Sequence, residues 1–210
     1  MSDMSTSPVD VGEAHLIGQE PAFLDRIFRA GFRRYLEFGT GGSTMKAAGS
    51  GFETIVAIDS DLDYVGAVRA HPAVASMIAR GAAAILHADI GSTRRWGYPK
   101  DRRSVEKWHR YIASPWAEFA RRKETPDLVF IDGRFRVACA LSVAALALQS
   151  ALRPMVLFHD MSYMRPEYMG ILRYFEVVEQ VDALWLLQLR DDILPAMALA
   201  DLLAKQFEPD

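Results

Sequence analysis

Five short apolar runs, four of which lead into an aspartate, limit what this chain can fold into more than any other feature. They are Tyr35-Leu36-Glu37-Phe38, Thr54-Ile55-Val56-Ala57-Ile58, Ala83-Ala84-Ile85-Leu86-His87, Asp127-Leu128-Val129-Phe130-Ile131 and Met155-Val156-Leu157-Phe158. Each is four to six residues long, rich in β-branched or large apolar side chains, and without strict alternation. A strand covered on one face alternates; a strand covered on both faces need not, which is the pattern of a parallel sheet between helical layers. Helical segments between the runs point the same way. The expected fold class is α/β, a doubly wound, mostly parallel sheet with helices on both faces.

Helices are expected over Glu13–Ala30, Thr44–Gly49, Leu62–Ala70, Val74–Arg80 and Arg136–Leu152, the last stopped by Pro154. Pro166–Val181 reads as another helix, Leu184–Leu189 as a sixth strand and Pro195–Lys205 as a final helix. After Leu189 no seventh strand is recognisable, so a truncated C-terminal hairpin is expected. A bare sheet edge, or one covered by a second copy in a homo-oligomer, fits equally well. Residues 1–10 read as a flexible tail. Residues 91–126 read as an insertion carrying Trp96, Tyr98, Trp108 and Trp116 among basic residues, with helix over Lys107–Ile112 and Pro115–Lys123. No repeat or linker divides the 210 residues, which suit one domain.

Half of the residues are apolar and the net charge is −3, so no global bias points to nucleic acid or an anionic membrane. The basic clusters at Arg94-Arg95, Arg102-Arg103 and Arg121-Arg122-Lys123 are offset by Asp101, Glu106, Glu118 and Glu124, and read as a solvated charged face. The most apolar stretch, Val137–Leu152, is too short to span a bilayer. Cys139 is the single cysteine, which excludes an internal disulfide and suits a reducing, cytoplasmic compartment. A small-molecule substrate is the expected partner.

In open parallel sheets, ligands bind beyond the carboxyl ends of the strands. Asp59, Asp89, Asp132 and Asp160 follow strands two to five, and Glu37 stands two residues before Gly39. One such aspartate is ordinary turn chemistry; four in succession, with Glu37, mark a binding site. The loop Gly39-Thr40-Gly41-Gly42-Ser43-Thr44 turns from strand into helix, and glycine there admits positive φ and close ligand approach. A dinucleotide fingerprint wants a third glycine where Thr44 stands. A loop touching an amino-acid moiety wants an acid two residues earlier, as Glu37 is. Asp59, 20 residues after Gly39, suits ribose hydroxyls in either class.

Glu-x-Gly-x-Gly at strand one, the acid closing strand two and the aspartate after strand three resemble class I S-adenosylmethionine-dependent methyltransferases, over roughly Tyr35 to Asp160. Gly42-Ser43 stands where that family's third alternating glycine falls. The resemblance implies that Glu37 lies near the methionine end of S-adenosylmethionine and that Gly39, Thr40, Gly41, Gly42 and Ser43 line it. It further implies that Asp59 and Ser60 hold the ribose, that Asp89 and Ile90 meet the adenine, and that Asp132 lies beside the cofactor. The stretch Val129–Leu141 and Trp96-Gly97-Tyr98-Pro99 resemble an uncharacterised bacterial methyltransferase-like subgroup, which brings no reaction with it.

Asp132, Asp160, His159 and Arg134 are the candidate catalytic residues. Metal-dependent small-molecule O-methyltransferases, which the fold resembles, hold a divalent cation with carboxylates after strands four and five. Asp132 and Asp160 are thereby candidate ligands for Mg²⁺, although Met161 stands where that family has Asn. His159 is a candidate general base; a packed core histidine is the other reading, because successive strand residues face opposite ways. His15, His71, His87 and His109 have no convincing partner in the sequence. Arg134 and Arg136 suit an anionic substrate, and Trp96 and Tyr98 either wall the adenine or form a local core. The expected activity is methyl transfer to a small molecule, with O-methylation foremost. The alternatives are a protein of this fold that binds the cofactor without methylating, and an NAD-dependent oxidoreductase.

Overall fold

The computed structural model describes residues 11–150 and 153–210. The expected flexible tail, residues 1–10, and the last two residues of the expected helix Arg136–Leu152 lie outside them. In chain order the elements are α1 (Glu20–Phe28), β1 (Arg34–Phe38), α2 (Gly42–Ala48), β2 (Thr54–Asp59), α3 (Leu62–Ala70), α4 (Pro72–Ala79) and β3 (Ala83–His87). They continue with α5 (His109–Arg122), β4 (Leu128–Ile131), α6 (Arg136–Ser150), β5 (Met155–Phe158), α7 (Pro166–Met169), β6 (Phe175–Val181), β7 (Leu184–Leu189) and α8 (Pro195–Lys205).

The strands form one seven-stranded sheet in the order β3-β2-β1-β4-β5-β7-β6. The first five pair in parallel, and β7 runs antiparallel to both β5 and β6. Strand order reverses between β1 and β4, the place where doubly wound sheets hold a ligand crevice, and Gly39 and Asp132 sit there.

β1, β2, β4 and β5 alternate their side chains between two apolar layers. Leu36, Phe38, Val56, Ile58, Val129, Ile131, Val156 and Phe158 face a core shared with α5 and α6, onto which α8 packs. Tyr35, Ile55, Ala57, Leu128, Phe130 and Leu157 face a second core shared with α1, α3 and α4. Because both faces are apolar, the runs show no alternation in sequence.

Three expectations are corrected. The first helix begins at Glu20 rather than Glu13, because Gly18 takes a positive φ of 54° and Pro21 belongs to a helix's first turn. Pro166–Val181 is helical only as far as residue 173, and β6 follows. This strand is the missing seventh, so the C-terminal hairpin is complete and lies before Leu189. It reads as helix because it is an edge strand, with Glu176, Val177 and Val178 exposed and Glu179 salt-bridged to Arg26. In α5 the expected break does not occur, and Pro115 sits buried inside one continuous helix.

Phe130 lies at the centre of the sheet between β1 and β5 and is fully buried. Phe130→Ala should lower the free energy of unfolding by about 3–5 kcal/mol in urea titrations, the usual cost of deleting a buried phenyl ring.

Candidate functional site

The turn from β1 into α2 is built around Glu37. Its carboxyl group, buried in the strand, accepts hydrogen bonds from the Ser43 hydroxyl and, at 2.6 Å, from Thr44 Oγ1. Thr44 Oγ1 in turn accepts from the Gly41 amide at 2.9 Å. Burial pushes the Glu37 carboxyl up to about 8 against the pull of these hydroxyls, so it carries a proton at neutral pH. Gly39 has φ 103°, and a Cβ there would lie 2.7 Å from the Gly133 amide nitrogen. The turns after β1 and β4 therefore touch through bare backbone, and no other residue fits at Gly39.

Asp59 at the end of β2 accepts from the amides of Ser60 at 2.7 Å, Asp61 at 3.1 Å and Thr40 at 3.2 Å. Its carboxylate thus joins the second turn to the glycine loop. Burial raises its pKa against those three amides. Ser60 is buried and its hydroxyl has no hydrogen-bond partner among the described residues. Asp89 stands apart on the surface, 2.8 Å from Lys107 Nζ, with its pKa lowered by that lysine and by the Gly91 amide. Ile90 is buried, and its carbonyl accepts from the Trp108 indole at 3.1 Å. The insertion packs Trp108 into the core but leaves Trp96 59% exposed, edge-on to His15 at 5.7 Å. Tyr98 lies under the Arg134 guanidinium at 4.1 Å. So neither Trp96 nor Tyr98 forms a local core, and His15 does have a partner.

Beyond β4 and β5 lies a chain of alternating charges. Glu20, fully buried at the start of α1, accepts from the amides of Ile17 and Ala183, both at 2.8 Å, and faces His159 Nε2 at 3.3 Å. His159 Nδ1 lies 2.7 Å from Asp132 Oδ1. Asp132 Oδ1 is 3.3 Å from Arg136 Nη2, and Arg136 Nη1 is 2.8 Å from Asp160 Oδ2. Burial alone would lower the His159 pKa, but the Asp132 hydrogen bond and the charges of Asp132, Asp160 and Glu20 raise it above the ordinary imidazole value. The Asp160 carboxyl, which burial would raise, is held below its usual value by Arg136, His159 and Arg165.

This arrangement changes the roles that the sequence suggests. His159 and Asp160 do share a site, because Asp160 leaves the strand with φ 60° and so escapes the opposite-face rule. Both ring nitrogens of His159 face carboxylates, so the ring bridges Asp132 and Glu20. Arg136 is committed as well. Besides the two aspartates, its guanidinium binds the carbonyls of Asp132, Gly133 and His159 at 2.9, 2.9 and 2.7 Å, which leaves nothing for an anionic substrate. Asp132, His159 and Asp160 do present ligand atoms within 4.8 Å of one another. Yet the cation between the two carboxylates is Arg136, and an added Mg²⁺ would sit against a fixed positive charge. The donor set does not fit the ion. Glu20, which closes this chain of charges, is not among the residues that the sequence singles out.

Glu37 and His159 both have raised folded-state values, so each adds stability at low pH that is lost as pH rises through the folded value. Melting temperature should therefore fall from the ordinary glutamate range upward through about 8. Glu37→Gln and His159→Gln should each flatten part of that slope in thermal melts taken at several pH values.

No protein-family model and no curated protein matches the sequence. Among solved structures, the fold matches a methyltransferase-like protein from Silicibacter pomeroyi, 25% identical, over 94% of this chain and 98% of that one, with a TM-score of 0.76. It also matches an O-methyltransferase from Bacillus cereus in complex with SAH, 15% identical over 84% and 83% of the two chains, with a TM-score of 0.47. Strand order, the glycine turn after β1 and a likeness along almost the whole chain show that this protein has the fold of class I S-adenosylmethionine-dependent methyltransferases.

Proposed function

We propose that the chain transfers the methyl group of S-adenosylmethionine to a hydroxyl oxygen of a small-molecule acceptor. The observation that carries this reading is the convergence of the Glu37–Thr44 turn, Asp59 and the Asp132 carboxylate on one crevice at the strand ends. The residues present suit the cofactor. Asp59 keeps one lone-pair site beyond its three amide bonds for a ribose hydroxyl, and the Ser60 hydroxyl, unpartnered among the described residues, lies beside it. Gly39 lets the loop pack against Gly133, and Gly41 lets it pack against the Tyr64 hydroxyl, without a side chain in between. Protonated Glu37 would yield its proton readily when a cationic amino group approaches. The NAD reading is less well supported, since the Gly41 amide, which a pyrophosphate would want, is bonded to Thr44.

When bound, S-adenosylmethionine supplies an electrophilic methyl group on a sulfonium. The charge chain sets Glu20, Asp132 and Asp160 against Arg136, Arg165 and, when protonated, His159, so it carries no excess positive charge to repel a cationic sulfonium. Asp132, oriented by His159 and Arg136, accepts a hydrogen bond from the acceptor hydroxyl. Its carboxylate would take that proton as the acceptor oxygen becomes nucleophilic, while S-adenosylmethionine would supply the methyl group. Much of the acceleration comes from holding acceptor and methyl group in line.

Calorimetry with S-adenosylhomocysteine tests the reading, and failure of the wild-type protein to bind it at millimolar concentration would sink it. Asp59→Ala should weaken that binding about tenfold, the loss of one charge-assisted hydrogen bond. Asp132→Asn should bind S-adenosylhomocysteine nearly as the wild type does. Its methyl transfer to a panel of hydroxylated acceptors should fall by about 10²–10⁴, the usual worth of a positioned proton acceptor. Turnover should be unchanged by EDTA or added Mg²⁺, whereas a metal-held acceptor would lose activity on chelation.

A further inference from the structure

The segment after α8 returns to the crevice. Asp210 lies against the first turn of α6, with its Oδ2 accepting from the Val137 amide at 3.1 Å. Arg134 Nη1 donates to the Asp210 backbone oxygen at 3.2 Å. Both groups remain half satisfied. Asp210 Oδ1 and Arg134 Nε are buried without a hydrogen-bond partner among the described residues, although Arg134 is only 8% exposed. A guanidinium so buried, stacked on Tyr98 and left with an unused donor beside a helix N-terminus, is a place for an anion.

We propose that Arg134 and the first turn of α6 form a carboxylate subsite for the methyl acceptor, and that Asp210 occupies it as an imperfect intramolecular stand-in. This rests on the methyl-transfer reading above and names its substrate class, hydroxylated carboxylic acids. A tethered aspartate reaches the Val137 amide but leaves Arg134 Nε unmet; an untethered carboxylate is free to reach both. Burial also pushes the Asp210 carboxyl up to about 6 against the nearby guanidinium groups, so at neutral pH its charge is poorly stabilised and displaceable. The subsite is close to the chemistry. Val137 follows Asp132 by five residues, and a side chain at Gly97 would meet both Arg134 Cγ, at 3.6 Å, and Ser60 Oγ, at 2.9 Å. An acceptor anchored there has its carboxylate beside the cofactor crevice and its remaining atoms within reach of Asp132.

The test uses the full chain and calorimetric titration with benzoate, and with neutral benzamide as control. Asp210→Asn should bind benzoate at least about tenfold more tightly than the wild type, since a tethered competitor acts at millimolar effective concentration. The double variant Asp210→Asn/Arg134→Gln should lose that gain while melting as a folded protein. Benzamide should bind none of them measurably. Equal benzoate affinity in the wild type, Asp210→Asn and the double variant would overturn the subsite. So would a gain in the single variant that benzamide shares. Should Arg134→Gln fail to fold, Arg134→Lys replaces it, keeping the charge while losing the buried fork, and undiminished benzoate affinity there overturns the proposal equally. S-adenosylhomocysteine titrated into the same samples separates the two ideas: cofactor binding without a benzoate gain sinks the subsite alone, and a benzoate gain without cofactor binding sinks the methyl-transfer reading alone.

Discussion

The alternating charges Glu20, His159, Asp132, Arg136 and Asp160 are the constraint on which the rest of the crevice depends. They come from the starts of α1 and α6 and the turns after β4 and β5, and meet at one end of the sheet. Taking an ion out of water costs several kcal/mol, and Coulomb attraction alone rarely offsets it. Here the cost is met by hydrogen bonds. Arg136 gives its donors to three backbone carbonyls as well as to its carboxylates, and Glu20 takes two backbone amides besides His159. Such a network contributes little net stability but a great deal of geometric definition. Loss of any one member strands a charge, so the arrangement acts as a unit.

Two local departures from ordinary backbone geometry flank this network, and only the first is held by it. Asp160 and Phe135 both take positive φ, 60° and 56°, which costs non-glycine residues on the order of 1–3 kcal/mol each. Asp160 is held by Arg136 through its carboxylate, and by the same Arg136 Nη1 gripping the preceding His159 carbonyl. Phe135 is held by burial between Trp108 and Tyr111, with ring centroids at 5.6 and 5.5 Å. The first turns the Asp160 carboxylate toward Arg136, and the second seats the Phe135 ring in the core beneath the turn that carries Asp132 and Arg134. Strain is concentrated where the chemistry is proposed, and the apolar cores on either face of the sheet sustain it.

How much of this could be read in the sequence depends on whether the interaction is local. The parallel strands were legible because burial on both faces leaves an unbroken apolar run, as at Leu128–Ile131. The glycine turn was legible because Gly39 and Glu37 belong to one short segment. β6 was not, because an edge strand with Glu176 and Glu179 facing water carries the residues of a surface helix. The pairing of Arg136 with Asp160 was equally hidden, since the two lie 24 residues apart and only the parallel neighbours β4 and β5 bring them together. Glu20 was the least accessible. Its partners His159 and Ala183 are 139 and 163 residues away, and nothing about an isolated glutamate announces that it will be buried.

The crevice is bounded by two segments held far less firmly than its floor. Residues preceding α1 lie over the glycine loop, where a Cβ on Gly42 would meet the Ala14 nitrogen at 2.1 Å, and the Tyr64 hydroxyl donates to the Val11 carbonyl at 3.2 Å. On the other side, the turn around Gly97 rests on Ser60 and Arg134. Trp96 meets His15 across the gap, but both are exposed, and an edge contact of this kind is worth only about 0.5–1.5 kcal/mol. By contrast, each charge in the floor is tied to at least two partners. A group-transfer site needs this division. The groups that orient the acceptor cannot drift by even an ångström without loss of rate, whereas the walls must part for ligands and exclude water afterwards. With its charges buried in the sheet end and its aromatic residues on loops, this chain distributes rigidity accordingly.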